Sequence, residues 1–179
     1  TPKFKEHGLT VMHVIANVKF AKKAESAGVD AVIAEGFEAG GHNGREETTT
    51  LCLIPLIKSQ VEIPVIAAGG ISGGAAMAAV LCLGAEGVQM GSRFAATYES
   101  SAHEGFKQEI VKASDGATSL TLKEITPVRL LKNTFYNQVQ DAYARGASKE
   151  DLSLLLGRGR AKKGMFEGDL EEGELEIGQ

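Results

Sequence analysis

Residues Ala31–Arg45, AVIAEGFEAGGHNGR, hold the densest group of side chains able to do chemistry. An apolar run leads into a loop with four glycines, and His42, Asn43 and Arg45 stand among them. Apolar strands that end in glycine-rich polar loops are where α/β proteins keep their sites. His42 is the candidate catalytic residue, because an imidazole titrates near neutral pH and can give a proton to carbon or take one from it. A lone loop histidine is otherwise a solvated bystander. Glu35, at the end of the run, could ligate a cation or hydrogen-bond a ligand, and a capped structural carboxylate reads equally well. Asn43 and Arg45 could contact substrate or a cofactor phosphate, for which a guanidinium is well shaped, or could face solvent. His103 is either near the mouth of a site or an exposed histidine at a helix start.

The elements that must position these residues follow from periodicity. VMHVIAN (11–17), DAVIAEG (30–36), IPVIAAGGI (63–71) and EGVQMGS (86–92) read as buried parallel strands. Between them lie three helices: 18–28 closed by Gly28, 45–60 with acidic residues at its start and Pro55 kinking or dividing it, and one from Ser72 as N-cap to Gly84. Strands alternating with helices mean a parallel sheet of βαβ units. GVDAVIAEG (28–36) and GAEGVQMGS (84–92) echo each other, which favours a closed (β/α)8 TIM barrel over a doubly wound sheet. His13, amid apolar residues, reads as a core or pocket-lining histidine.

From about Phe94 the pattern changes to a C-terminal helical extension. A helix follows ATYESSAH, an extended piece is broken at Pro127, and FYNQVQDAYARG and SKEDLSLLLGRGRAKKG give two more helices, the second capped by Ser148. The tail carries six acidic residues between Glu167 and Glu176, the look of a solvated extension. The expected division is 1–93 for the barrel part and 94–179 for the extension.

A net charge of -4 argues against a nucleic-acid surface, and no apolar run is long enough for a membrane span. Cys52 and Cys82 sit in apolar contexts and read as small buried hydrophobes, with neither a disulfide framework nor a metal site, which fits a reducing cytoplasm. A barrel of this type needs about 250 residues and eight strands. The four strands are therefore expected to be the fifth to eighth, making the chain the C-terminal half of a barrel. Barrel phosphates rest on loops after the last two strands, so Gly69, Gly70, Gly91 and Ser92 offer backbone N–H groups for one.

AVIAEGFEAGGHNG, IPVIAAGGI, GAEGVQMGSRF and GDLEEGELEIGQ, in that order and spacing, resemble the nitronate monooxygenase (2-nitropropane dioxygenase) family, which also contains the flavin-dependent enoyl-acyl-carrier-protein reductases. The resemblance implies a barrel holding FMN, with an N-terminal half and residues after Gln179 lying outside this sequence. It places the FMN phosphate on backbone at Gly69–Gly70 and Gly91–Ser92, with Gln89 and Met90 nearby and Glu35 beside the cofactor. Gly40 and Gly41 would let the chain pass close to the flavin, and His42 would face its reactive side. Two activities are implied. A reductase would pass hydride from NAD(P)H by way of FMN to an enoyl thioester; a monooxygenase would pass electrons from a nitronate to O2. The segment from ATYESSAH to PVRLLKN resembles the reductases more, so an enoyl-acyl-carrier-protein reductase of fatty acid synthesis is the first reading, and a homodimer is compatible with it. A flavin-free phosphate-binding barrel of the inosine-monophosphate dehydrogenase type shares the glycine rhythm. That type carries a nucleophilic cysteine in the loop where this chain has His42.

Overall fold

A computed structural model describes all residues, Thr1–Gln179. In chain order the elements are α1 (Pro2–Glu6), β1 (Met12–Ile15), α2 (Val18–Ser26), β2 (Ala31–Glu35), β3 (Gly41–His42), α3 (Thr50–Lys58), β4 (Val65–Ala68) and α4 (Gly74–Cys82). They continue with β5 (Gly87–Gln89), α5 (Ser92–Ala95), α6 (Glu104–Lys112), β6 (Thr118–Thr121), β7 (Val128–Leu131), α7 (Thr134–Ala144), α8 (Lys149–Leu156) and α9 (Arg160–Met165). Two compact units result: Thr1–Ala39 with Glu46–Met90, and Gly40–Arg45 with Gly91–Gln179. The GGHNGR hexapeptide thus goes with the second unit, although strands of the first flank it in sequence.

The first unit is a four-stranded parallel sheet in the order β1-β2-β4-β5. Sequential strands are neighbours, each joined to the next through a helix, as in a run of βαβ units. Val32, Ala34, Val65 and Ala67 point at the helices and pack with Ala21, Ala24, Leu53, Ile54 and Ile57. β2 is buried on both faces, which is why its sequence is apolar without alternation. β1 is an edge strand, with Met12 and Val14 exposed. The internal echo has a structural meaning. Asp30 N donates to Val11 O and Glu86 N to Val65 O, both at 2.8 Å. Each of these acids also pairs with a lysine, Asp30 with Lys5 and Glu86 with Lys58. Both copies therefore fix a strand's start by the same backbone bond and an exposed ion pair.

The second unit holds an antiparallel sheet, β3-β7-β6, and two apolar clusters. One joins Leu122, Leu130, Phe135, Val139 and Leu152; the other joins Phe106, Leu131, Leu175 and Ile177.

Several expectations need correction. α3 starts at Thr50, not Arg45, so Glu46 and Glu47 lie in the loop and no acid sits in its first turn. Pro55 stays inside one undivided helix, because the N–H it lacks would have served the carbonyl of Leu51, a residue on the exposed side. Gly73, not Ser72, is the N-cap of α4. Cys52 and Cys82 are exposed. α3 buries Leu53, Ile54 and Ile57 while α4 buries Val80, and helices apolar all round do not tell which face is inward. His13 is exposed on the edge strand and lines a shallow cavity of about 280 Å³ with Phe20 and Lys23. The helix expected over 148–164 is two, parted at Gly157 and Gly159, both at positive φ. The acidic tail is not a solvated extension, since Leu175 and Ile177 are core residues. No helix is long and apolar enough to cross a membrane.

Candidate active site

In the first unit, register aligns Glu35, Ala68 and Gln89 in one row at the C-terminal ends of β2, β4 and β5. Strand alternation puts that row on the face away from the helices. Burial pushes the Glu35 carboxyl above its usual range, since the charged form loses water. Met90 turns its side chain into the apolar cluster, which leaves only its backbone for a ligand.

Beyond β4 the turn Gly69–Gly70 has φ of +96° and +66°, a region side chains rarely adopt. A Cβ on Gly69 would stand 2.7 Å from Gly36 O, and one on Gly70 3.1 Å from Glu38 Cβ. Thr50, at the start of α3, ties this corner together. Its N–H donates to the Glu38 carboxylate at 3.0–3.1 Å. Its hydroxyl lies 3.1 Å from Glu38 Oε2, 3.1 Å from Ala68 O and 2.8 Å from Gly69 O, one proton shared among three acceptors. The N-cap of α4, Gly73, has no capping side chain, and space is open around Gly73 and Gly74. First-turn amides of a nine-residue helix thus face outward beside the glycine turn.

In the second unit, β3 presents His42, whose side chain is 67% exposed. Behind it the C-terminal segment is tied down by two bonds: Leu131 N donates to Leu175 O at 2.9 Å, and Gly178 N to Ser92 Oγ at 2.9 Å. Glu176 is thereby held with Oε1 3.8 Å from His42 Nδ1. Both glycines of the GGH loop have a reason in this crossing. A Cβ on Gly40 would come within 2.5 Å of the Ile177 carbonyl carbon, and one on Gly41, at φ +76°, within 2.9 Å of Glu176 Oε2.

Glu174 is 7% exposed. Its carboxyl is pushed up to about 7, by burial first and by Glu176 second, with Arg160 opposing. Burial also raises Glu176, with His42 opposing. Arg160 spends its donors elsewhere, on the carbonyls of Leu155, Leu156 and Glu172, with its guanidinium 4.2 Å above the Phe135 ring. A solvent-facing imidazole with a carboxyl behind its Nδ1 can take or give a proton at carbon.

The other predicted residues are placed as follows. Asn43 is buried, donates its backbone N–H to Pro127 O and its side-chain amide to Gly41 O. Arg45 donates to Lys123 O and Ile125 O, so its fork is engaged by the 123–125 turn. His103 is the N-cap of α6, its Nδ1 accepting from Gly105 N at 3.0 Å, with its ring packed on Gly168. Gly91 has open space where a Cβ would be, and Ser92 begins α5. No group of His, Cys, Asp or Glu is arranged to hold a metal ion. Sequence reasoning missed Glu38, Thr50, Glu174, Glu176 and Arg160. The alternation in Glu174-Leu175-Glu176-Ile177 was an available sign that the segment bearing two of them buries its apolar residues.

The family model for nitronate monooxygenase matches residues 2–179. A probable nitronate monooxygenase of Staphylococcus saprophyticus is 37% identical over 90% of this chain and 49% of its own length. A hydroxy-methyl-oxo-octahydro-indene carboxyl-CoA dehydrogenase of Rhodococcus jostii is 40% identical over 82% of the chain and 44% of its own length. Among solved structures, FabK from Thermotoga maritima superposes with TM-score 0.89 at 43% identity, covering 98% of this chain and 55% of that one. A nitroalkane oxidase from Streptomyces ansochromogenes gives 0.78 at 32% identity, covering 99% and 54%. The chain spans about half the length of these relatives.

Proposed function

Since this chain belongs to the nitronate monooxygenase family, we propose that it is the C-terminal half of an FMN-dependent barrel oxidoreductase, acting as an NAD(P)H-dependent reductase of enoyl thioesters. The observation that carries the proposal is His42, an exposed imidazole with a half-buried carboxylate behind its Nδ1. Two likenesses favour a thioester substrate over a nitronate. FabK, an enoyl-acyl-carrier-protein reductase, has a higher identity than the nitroalkane oxidase, and the Rhodococcus relative is named for a carboxyl-CoA substrate. Nitronate oxidation is the second reading, favoured by the family model and by the Staphylococcus relative.

The residues present fit FMN. A phosphate needs converging N–H donors without side chains in the way. The positive-φ turn at Gly69–Gly70, followed by the uncapped start of α4, offers them in the first unit. Gly91 has open space at its Cα. Gln89 and Glu35 share a row on the face away from the helices, where a polar ring edge would find partners. When bound, FMN supplies the hydride and electron chemistry. The chain's own task is to orient it, and through His42 to deliver a proton to the carbon next to the thioester carbonyl, or to remove one from a nitroalkane.

Purified full-length protein should show a flavin band near ~450 nm, and should oxidise NADPH only when crotonyl thioester is added. Oxygen uptake with a nitronate, and no reduction of the thioester, would select the second reading. H42A should keep the flavin band and lose turnover by about 10²–10⁴-fold, the usual worth of general acid catalysis; full activity in H42A would remove the histidine from the mechanism.

A further inference from the structure

The back of His42 is more elaborate than orienting one ring requires. The Glu176 carboxyl stands there, and the crossing chain at Gly41 has no side chain, so that this carboxyl can lie against it. We propose that Glu176 is the proton partner of His42, exchanging a proton with Nδ1 while Nε2 faces the reacting carbon, and that Glu174, buried two residues before it, is its charge-coupled neighbour.

The step involves protons alone. As Nε2–H is given to a carbanionic carbon, Nδ1 takes the proton of the Glu176 carboxyl and leaves a carboxylate. In the reverse direction, Nε2 takes a proton from a carbon acid and Nδ1–H passes to Glu176. The 3.8 Å separation closes to a hydrogen bond with about 1 Å of movement, which an exposed imidazole can make. Glu174 is the buried member, with its N–H given to Arg160 O at 3.1 Å. The charged groups acting on the pair are His42 from β3 and Arg160 from α9. Arg160 does not neutralise Glu174, because its donors hold the carbonyls of Leu155, Leu156 and Glu172. Burial raises both carboxyls, Glu174 to about 7, and the Glu176 charge adds to the shift of Glu174.

The inference rests on the proposed function only in giving His42 the proton chemistry. It is tested without turnover, by 13C NMR of glutamate side-chain carboxyls in the full-length protein and in H42A, E174Q and E176Q. The Glu174 carboxyl should titrate near 7 in the unmodified protein. E176Q should move that transition down, and H42A should move the Glu176 transition up by roughly half a pH unit or more, the effect of removing a charge about 4 Å away. Ordinary carboxyl titrations at both positions would overturn the proposal. So would titrations that ignore each other and His42, the result expected of two buried carboxyls with structural roles only. H42A leaves both carboxyls in place, so the test stands if a glutamine variant fails to fold. Flavin absorbance of the same samples is read separately: its loss beside coupled titrations would sink the flavoenzyme reading alone, and its presence beside uncoupled ones would sink the pair alone.

Discussion

Substituting Gly40 with alanine should unseat the C-terminal segment. The new Cβ would stand 2.5 Å from the Ile177 carbonyl carbon, 2.6 Å from Gly178 N and 2.7 Å from Ile177 Cα. Ordinary contact between such atoms is about 3.5–4.0 Å, so one backbone must retreat by about 1 Å. The segment cannot slide freely, because Leu175 O and Gly178 N each hold a 2.9 Å bond, to Leu131 N and to Ser92 Oγ. Losing those two bonds costs about 1–3 kcal/mol. Partial exposure of Ile177, now 3% exposed, adds up to about 2 kcal/mol. The sum is about 1–5 kcal/mol, read from urea unfolding as a lower midpoint at unchanged slope. A second readout is independent of stability: the Glu174 carboxyl should fall from about 7 towards the ordinary range, because burial is the main cause of its shift. A G40A protein within about 0.5 kcal/mol of the parent, with Glu174 titrating unchanged, would refute the reasoning.

Three further perturbations probe other parts of the structure. T50V removes the hydroxyl shared by Glu38, Ala68 O and Gly69 O; it should cost about 1–3 kcal/mol and weaken flavin retention, checked by fluorescence titration, while leaving the second unit's Glu174 titration in place. R160K keeps the charge but loses the fork that holds Leu155, Leu156 and Glu172 over Phe135, for a loss of about 2–3 kcal/mol seen as a lower Tm. Glu174 also makes stability depend on pH. Its folded value of about 7 lies above the unfolded 4.5, so the native state binds the proton more tightly. Its contribution is complete below about pH 4.5 and is lost as pH rises to about 7, and E174Q should flatten the stability profile across that window.

The βα alternation of the first unit was legible because its strands are apolar runs, the central β2 and β4 being buried on both faces, and Gly28, Gly69 and Gly84 punctuate them at positive φ. The direction of the helices was less so. α3 and α4 are apolar around most of their circumference, so Cys52 and Cys82 gave no sign that they face outward. The candidate site was half legible. His42 stood out by type and neighbours, but Gly40 and Gly41 looked like room for a ligand, and the structure shows a second claim on that room from Glu176 and Ile177. Glu174 and Glu176 were hidden by composition, since a run of acids ordinarily signals water. What distinguishes them is Leu175 and Ile177 between and after them, only 1% and 3% exposed. Thr50 and Arg160 act through hydrogen bonds to backbone carbonyls, and no side-chain pattern announces such bonds in advance.

The crossing of β3 by the C-terminal segment also sets an order of assembly. His42 and Glu176 lie roughly 130 residues apart, and contacts of such separation form late, after loop closure has been offset by nearer ones. β3 has only two residues, and its partners are β7 and, beside it, the segment holding Leu175 and Ile177. During synthesis the hexapeptide with His42 leaves the ribosome long before either. The strands that flank it can pair among themselves while it waits, and the histidine gains its carboxyl partners only when the last of the second unit docks. Proton chemistry at His42 would then report completed folding, and a nascent chain with its first unit already formed would remain silent.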